Sequence, residues 1–354
     1  MKVTIFGAGA VGGFIGTRLA LSGCQVAAIA RGATAAALRT RGWRLQTGDT
    51  TVTAPARVAE EPGELGPQEL VVVAVKGPSL AAVASAISPL LDRDTVVMTA
   101  MNGVPWWFFH GFGGQYAATQ LDSIDPDGSI AANIPARHVV GCVVHAACAT
   151  PEPGLTRHNV GNRLIIGEPR GGDSPRVREL AATLSRAAFD VEVSSCIQRD
   201  VWYKLWGNMT MNPVSALTGA TLDRMLDDPL VNGFCLGVMA EAAAIGAAIG
   251  CPIEQSGHDR NTITRKLGAV KTSMLQDVEA GRPVEIDVLL SAAREIGQKI
   301  GQSTPQLDAL LGLSRLQARV RGLYPSDASR STNSEGRRLT LTTLVVNVQT
   351  TIGA

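Results

Sequence analysis

A strand–helix alternation opens on Gly7-x-Gly9-x-x-Gly12 and gives way after Cys196 to helices alone. That order predicts an α/β chain, an N-terminal Rossmann-type parallel-sheet domain followed by an all-α C-terminal domain. The length of 354 residues agrees, being more than one ordinary core holds and about right for two. The expected divisions are 1–195 for the nucleotide-binding domain, 196–324 for a helical substrate domain and 325–354 for a tail whose order the sequence leaves open.

Val3–Phe6 is a short β-like run, Gly7–Gly12 a turn and Val11–Leu21 a helix. Val26–Ile29 reads as a second strand and Ala33–Arg39 as a helix. Leu70–Val75 is a continuous apolar run of the kind buried on both faces of a parallel sheet. Ser79–Leu91 reads as helix and Thr95–Thr99 as strand. From Tyr116 to Pro135 periodicity is lost, and Asp125-Pro126-Asp127-Gly128 marks a turn. Strand-like Val139–His145 and Leu164–Ile166, a helix at Val177–Ala188 and a strand at Val191–Val193 complete the first part. Helices are then expected at Pro229–Ile249, Arg260–Glu279, Ile286–Ile300 and Pro305–Arg321. Pro325–Arg338 is polar and linker-like, and threonine- and valine-rich Leu339–Ile352 is a candidate strand.

A formal net charge of +1 with 18% charged residues gives no electrostatic reason to expect nucleic acid or an anionic membrane as partner. Six cysteines without a C-x-x-C pair read as reduced thiols, and no metal site is expected. Met1–Phe6 runs directly into glycines, with no signal-peptide pattern, and no run of about 20 apolar residues stands out as a membrane span. A cytoplasmic location is the expectation.

Directly after a strand and opening a helix, Gly7-Ala8-Gly9-Ala10-Val11-Gly12 is the dinucleotide fingerprint in its proper setting. Gly7 permits the turn, Gly9 lets the backbone approach a pyrophosphate, and Gly12 lets helix and strand pack closely. The second strand ends at Arg31, where an NAD site usually carries an acid. A guanidinium there can pair with a 2′-phosphate, so NADP(H) is the expected cofactor. Lys76 and Asn102 follow two further strands, on the edge where open α/β sheets bind ligands. In isolation a strand-end lysine is usually solvated, and Asn102-Gly103 is an ordinary turn pair. Lys204, Asn208 and Asn212, spaced i, i+4, i+8, form one polar stripe on an otherwise apolar helix.

Taken together, these blocks resemble the ketopantoate reductases (2-dehydropantoate 2-reductases). The likeness is carried by Gly7–Gly12 with Arg31, by Val75-Lys76 and Asn102-Gly103, by Lys204, Asn208 and Asn212-Pro213, and by Ser273–Asp277 followed by Glu285-Ile286-Asp287. It spans residues 1 to about 322. The resemblance implies NADPH-dependent reduction of a 2-oxo acid to a 2-hydroxy acid, 2-dehydropantoate to pantoate being the favoured case. Lys204 would donate the proton, and Glu285 would lie near the nicotinamide end and help orient the site. Asn208, Asn212 and Ser273 would hold substrate with Lys204, and Lys76 and Asn102 would lie between cofactor and substrate. The partner would be a small 2-oxo acid, and a homodimer is compatible with the family.

Taken alone, Glu285 is equally a helix N-terminal acid, and Ser273 equally a helix cap. Three departures stand out: Val270 where the family often has a substrate-binding Asn, Leu222 near another expected Asn, and the bulky run Trp106-Trp107-Phe108-Phe109. The aromatic run reads as a pocket wall or lid ahead of core packing. Two alternatives stay open: a reductase of a bulkier apolar 2-oxo substrate, and a non-catalytic NADP-binding sensor, against which the Lys204–Glu285 pair argues.

Overall fold

A computed structural model describes residues 1–326, and the expectations for the tail beyond Ser326 lie outside the described residues. β1 (Lys2–Phe6) leads into α1 (Ala10–Leu21), and β2 (Gln25–Ile29) into α2 (Gly32–Arg41). Then come β3 (Trp43–Thr47), β4 (Thr50–Ala54) and β5 (Arg57–Ala59), three short strands the sequence reading passed over. Their signal is the two-residue loop Gly48-Asp49: Thr47 pairs with Thr50, and Gly48 turns at φ +56°. β6 (Leu70–Val73), α3 (Leu80–Ala86), β7 (Val96–Thr99) and α4 (Ser129–Asn133) follow. β8 (Val139–Glu152), β9 (Leu155–Gly167), α5 (Pro175–Arg186) and β10 (Asp190–Val193) complete the sheet half.

The sheet has ten strands in the order β4-β3-β9-β8-β7-β6-β1-β2-β5, with β10 also pairing with β9. Neighbours from β5 through β8 are all parallel, as expected of the nucleotide-binding core. Beyond β8 the sheet is mixed, which extends the expected parallel-sheet domain with antiparallel pairs. Glu152 pairs with Leu155 across Pro153-Gly154, so β9 must return antiparallel to β8. The two strands are far longer than the short runs expected. Their outer parts reach over α1, where Phe14 stacks on His158 at 4.7 Å. Thr156 there lies 2.1 Å from where a Cβ on Gly13 would stand.

β6 shows why its sequence is continuously apolar. Leu70 and Val72 belong to the core beneath α1 and α5, whereas Val71 and Val73 belong to a second core that continues into the helices.

The helical half comprises α6 (Ile197–Thr218), α7 (Leu222–Asp227), α8 (Pro229–Ala248), α9 (Gly257–Arg265) and α10 (Ser273–Glu279). A π-helical turn at Asp287–Ser291 then runs into α11 (Ala292–Lys299), followed by α12 (Pro305–Val320). Two helices expected to be continuous are broken. Ser79–Leu91 divides into α3 and a short turn at Ser88–Leu90, where Pro89 has no amide to donate. Arg260–Glu279 stops at Arg265, turns through Gly268 at φ +70°, and restarts where Thr272 caps α10.

A further correction concerns α8. By length and composition it is apolar enough to cross a membrane, which the sequence reading had not expected of any segment. Here it packs on α6: Trp202 and Trp206 donate their indole N–H groups to the carbonyls of Ala242 and Met239, at 3.2 and 2.8 Å.

Candidate active site

At the glycine end, each glycine meets a different constraint. Gly7 has φ +99°, and a Cβ there would stand 2.7 Å from Val75 Cγ1. A Cβ on Gly12 would stand 2.0 Å from the Gly7 carbonyl oxygen. Around the place a Cβ on Gly9 would take nothing lies within 4 Å, so the protein itself does not demand glycine there; the space is open to a ligand. Gly9 caps α1 without a side chain, leaving the first-turn N–H groups at Ala10, Val11 and Gly12 without a side-chain acceptor. This open cradle at a helix N-terminus fits a dinucleotide pyrophosphate, with Ala8 beside it in the turn.

Arg31 follows β2 and opens α2. The sequence reading found no acid nearby, but the fold supplies one. Arg31 pairs with Glu61 at 2.7 Å, both side chains largely exposed. Glu61 comes from the short helical turn after β5, 30 residues away, so local sequence could not reveal it. An exposed pair of this kind is worth at most about 1 kcal/mol, so the guanidinium stays available to a phosphate.

The loops after β6 and β7 dock onto the π-helical turn. Gly77 and Gly103 allow it, because Cβ atoms there would stand 2.9 Å from Val288 Cγ1 and 2.4 Å from the Val288 carbonyl oxygen. The Val104 amide donates to that carbonyl at 2.9 Å, and the Gly77 amide donates to Glu285 Oε1 at 3.1 Å. Lys76 forms an ion pair with Asp277, whose other oxygen accepts from Arg282 Nε at 2.9 Å. Asp277 belongs to the Ser273–Asp277 block, for which the sequence suggests no role at Asp277 itself. Its buried carboxylate fixes Lys76 at the rim of the cleft. Asn102 lines a small cavity together with Trp106, Trp107, Cys142 and Val201.

α6 carries Lys204 to the same place. Its Nζ donates to the Val144 carbonyl at 2.6 Å, with Cys142 and Glu285 in electrostatic reach. Desolvation brings the ammonium down to about 8, although Cys142 and Glu285 oppose the shift. Burial pushes Glu285 above the ordinary carboxylate range, against the Gly77 amide and the Lys76 and Lys204 charges. Cys142, pushed up to about 12 by burial, stays a thiol. The fold also brings in a residue that sequence reasoning missed. His145 follows Val144, and burial with the charges of Lys204, Arg163 and Arg260 lowers it to about 4, so it is neutral at physiological pH.

Asn208 and Asn212 continue the α6 stripe, and neither side chain has a protein hydrogen-bond partner among the described residues. Their amides are free to meet a ligand. Ser273 sits exposed in the first turn of α10, which packs on α6. Its expected capping role falls to Thr272, whose hydroxyl accepts from the Leu275 amide at 3.3 Å. No hydrogen bond joins Ser273 to Lys204, Asn208 or Asn212. The aromatic run is mainly core: Trp107, Phe108 and Phe109 are buried, and only Trp106 is partly exposed. Burial behind β7 overrides the lid reading, with Trp107 donating to Thr99 Oγ1 at 3.2 Å.

The chain is similar to known proteins over most of its length. Residues 3–171 match the family model described as ketopantoate reductase PanE/ApbA, and residues 196–318 match its C-terminal counterpart. A Mesorhizobium japonicum protein named 2-dehydropantoate 2-reductase is 43% identical over 92% of this chain and 100% of its own length. A solved structure from Ralstonia solanacearum MolK2 is 57% identical with a TM-score of 0.88, covering 91% of this chain and 99% of that one. The structure of 2-dehydropantoate 2-reductase from Geobacter metallireducens is 26% identical with a TM-score of 0.79, covering 90% and 100%.

Proposed function

The chain belongs to the ketopantoate reductase family, and from that premise we propose that it reduces a 2-oxo acid to a 2-hydroxy acid with NADPH, 2-dehydropantoate being the first candidate substrate. One observation carries the reading: a desolvated lysine, donating to a strand carbonyl with a carboxylate in electrostatic reach, stands at the carboxyl edge of the sheet.

Gly7–Gly12 would hold the pyrophosphate and Arg31 the 2′-phosphate. Lys76, Asn102 and Glu285 would border the nicotinamide end. When bound, NADPH supplies a hydride to the carbonyl carbon. Lys204 holds a proton at Nζ where negative charge develops on the carbonyl oxygen, and releases it there. An ammonium near 8 suits this task, being mostly charged at neutral pH yet able to give up its proton. Glu285 favours the charged lysine, and the Val144 carbonyl fixes its direction. Asn208 and Asn212 present amides to the substrate's polar groups, with Ser273 at the rim. This chemistry needs no metal.

The test is NADPH oxidation by the purified protein with 2-dehydropantoate and with other 2-oxo acids of similar size. The expected result is turnover of 2-oxo acids, with 2-dehydropantoate favoured at least about tenfold in kcat/KM. Failure to oxidise NADPH with every 2-oxo acid would overturn the reductase reading. Preference for another acid would overturn only the substrate.

A further inference from the structure

Beside the Lys204 stripe lies an arginine that the proposed chemistry does not use. Arg260, on α9, reaches across to α6. Its guanidinium carbon lies 4.9 Å from the centre of the Tyr203 ring, and its Nη1 donates to Tyr203 Oη at 3.2 Å. Tyr203 Oη in turn donates to Gln255 Oε1 at 2.7 Å, so the ring that supports the arginine is itself fixed. One turn further, a Cβ on Gly207 would stand 3.1 Å from Nη2 and 3.3 Å from Nε. Glycine at this position lets the guanidinium lie close along the helix.

Tyr203 and Gly207 each immediately precede a residue of the polar stripe, Lys204 and Asn208. The arginine therefore runs along the edge of the same cleft. It is half-buried, its Nε is fully covered without a hydrogen-bond partner, and no carboxylate within ion-pair distance balances it among the described residues. A partly desolvated guanidinium with unpaired donors and no counter-ion is costly unless an anion comes to it.

We propose that Arg260 is a carboxylate-binding residue of the substrate cleft. The planar fork suits a carboxylate, which would supply the missing counter-charge and accept from Nη2, which has no hydrogen-bond partner among the described residues and, unlike Nε, is not sealed. His145 lies within electrostatic reach of both Lys204 and Arg260, so the two cations share one neighbourhood. A substrate lying along the α6 stripe would present its carbonyl to Lys204 and a carboxylate to Arg260. That carboxylate is either the one adjoining the 2-oxo group or a second one at the far end of a 2-oxo diacid. The inference rests on the reductase reading for the direction of the substrate, but not for the binding of the anion.

The experiment uses the NADP-loaded protein and its Arg260→Met and Arg260→Lys variants. Tryptophan fluorescence follows titration with oxamate and with glutarate, neither of which can be reduced. Rates are measured with 2-oxopentanoate and 2-oxoglutarate. Arg260→Met should weaken oxamate or glutarate binding by about tenfold or more, and Arg260→Lys by less, with melting temperature held. Weakening toward both probes, with KM raised for both 2-oxo acids, identifies the carboxylate next to the reacting carbonyl. Weakening toward glutarate alone, with KM raised only for 2-oxoglutarate, identifies a second one.

The proposal is overturned if the parent protein binds neither probe, or if Arg260→Met binds both as tightly as the parent. It is equally overturned if the variant loses kcat and melting temperature while KM stands, since that describes a brace between α9 and α6. Should Arg260→Met fail to fold, Arg260→Lys decides: unchanged binding overturns the proposal, and a loss of a few-fold supports it. Arginine-dependent binding without any NADPH oxidation would remove the reductase reading and leave this one standing.

Discussion

At Gly7–Gly12 the chain builds a binding surface from backbone, using glycines that are neighbours in sequence. At Lys204 it builds one from side chains, using groups from β8, α6 and the segment before the π-helical turn, which meet only when the two halves pack. The first region works by absence: a Cβ on Gly12 would collide with Gly7, and Gly9 faces open space. The second works by desolvation, which lowers Lys204 and raises Glu285. A backbone cradle is damaged by adding atoms. A desolvated charge is damaged by removing its partners, and the fold can gain stability when the charge itself is removed.

The largest expected effect is at the side-chain end. Lys204→Met should cut turnover by about 10²–10⁴-fold or more while leaving NADPH binding in place. Its stability should follow the opposite sign. The folded-state value, about 8, lies below the ordinary 10.5, so folding favours the neutral amine. The lysine's contribution to stability therefore improves as pH rises from about 8 toward 10.5, and at neutral pH its charge is a cost. Thermal unfolding at pH 7 should show Lys204→Met at least as stable as the parent. A marked drop in melting temperature would mean that the ammonium is a structural contact.

Next in size is Glu285→Gln, which keeps an acceptor for the Gly77 amide but removes the charge favouring the ammonium. A fall in kcat of about tenfold to a hundredfold is expected, with the alkaline limb of the pH profile moved to lower pH. An unmoved limb would uncouple the two residues.

At the backbone end, Gly12→Ala must push α1 away from the Gly7 turn. It should weaken NADPH binding about tenfold or more and cost about 1–3 kcal/mol of stability, with little change in the pH dependence of residual turnover. A pH profile that moved with it would show that the two ends are not independent.

Arg31→Ala should weaken NADPH about five- to tenfold and leave NADH nearly unchanged, the loss of an exposed charge-assisted contact. Glu61→Gln is the smallest and opposite change, a gain in NADPH affinity of about two- to threefold as the competing carboxylate is neutralised. Equal use of NADH and NADPH by the parent would show that Glu61, not the phosphate, holds Arg31.

The same contrast sets what could be read from sequence. The glycine cradle is local, so strand, turn and helix all declare it, and the α6 stripe declares itself by its spacing. The partner of Arg31 does not, because Glu61 arrives from a turn beyond three short strands. Nor does the contact between Arg260 and Tyr203, which needs α9 laid against α6. Phe108 and Phe109 misled for a related reason: a bulky run after a ligand-edge loop looks like a pocket wall or lid until the fold buries it, whereas Trp106 and Trp107 do line the cavity beside Asn102. The broken helix at residues 265–273 was readable in part, since Gly268 was visible and its left-handed turn was not.

The central claim is that Lys204 is a proton donor held near 8 by its surroundings. The most direct test is the pH dependence of kcat for 2-oxo acid reduction at saturating NADPH. Turnover should be level below neutrality and fall as pH rises through about 8, where the ammonium loses its proton. Oxidation of the 2-hydroxy product should rise over the same interval. A reduction rate that stays level to pH 10, or one that still falls near 8 in Lys204→Met, would contradict the assignment.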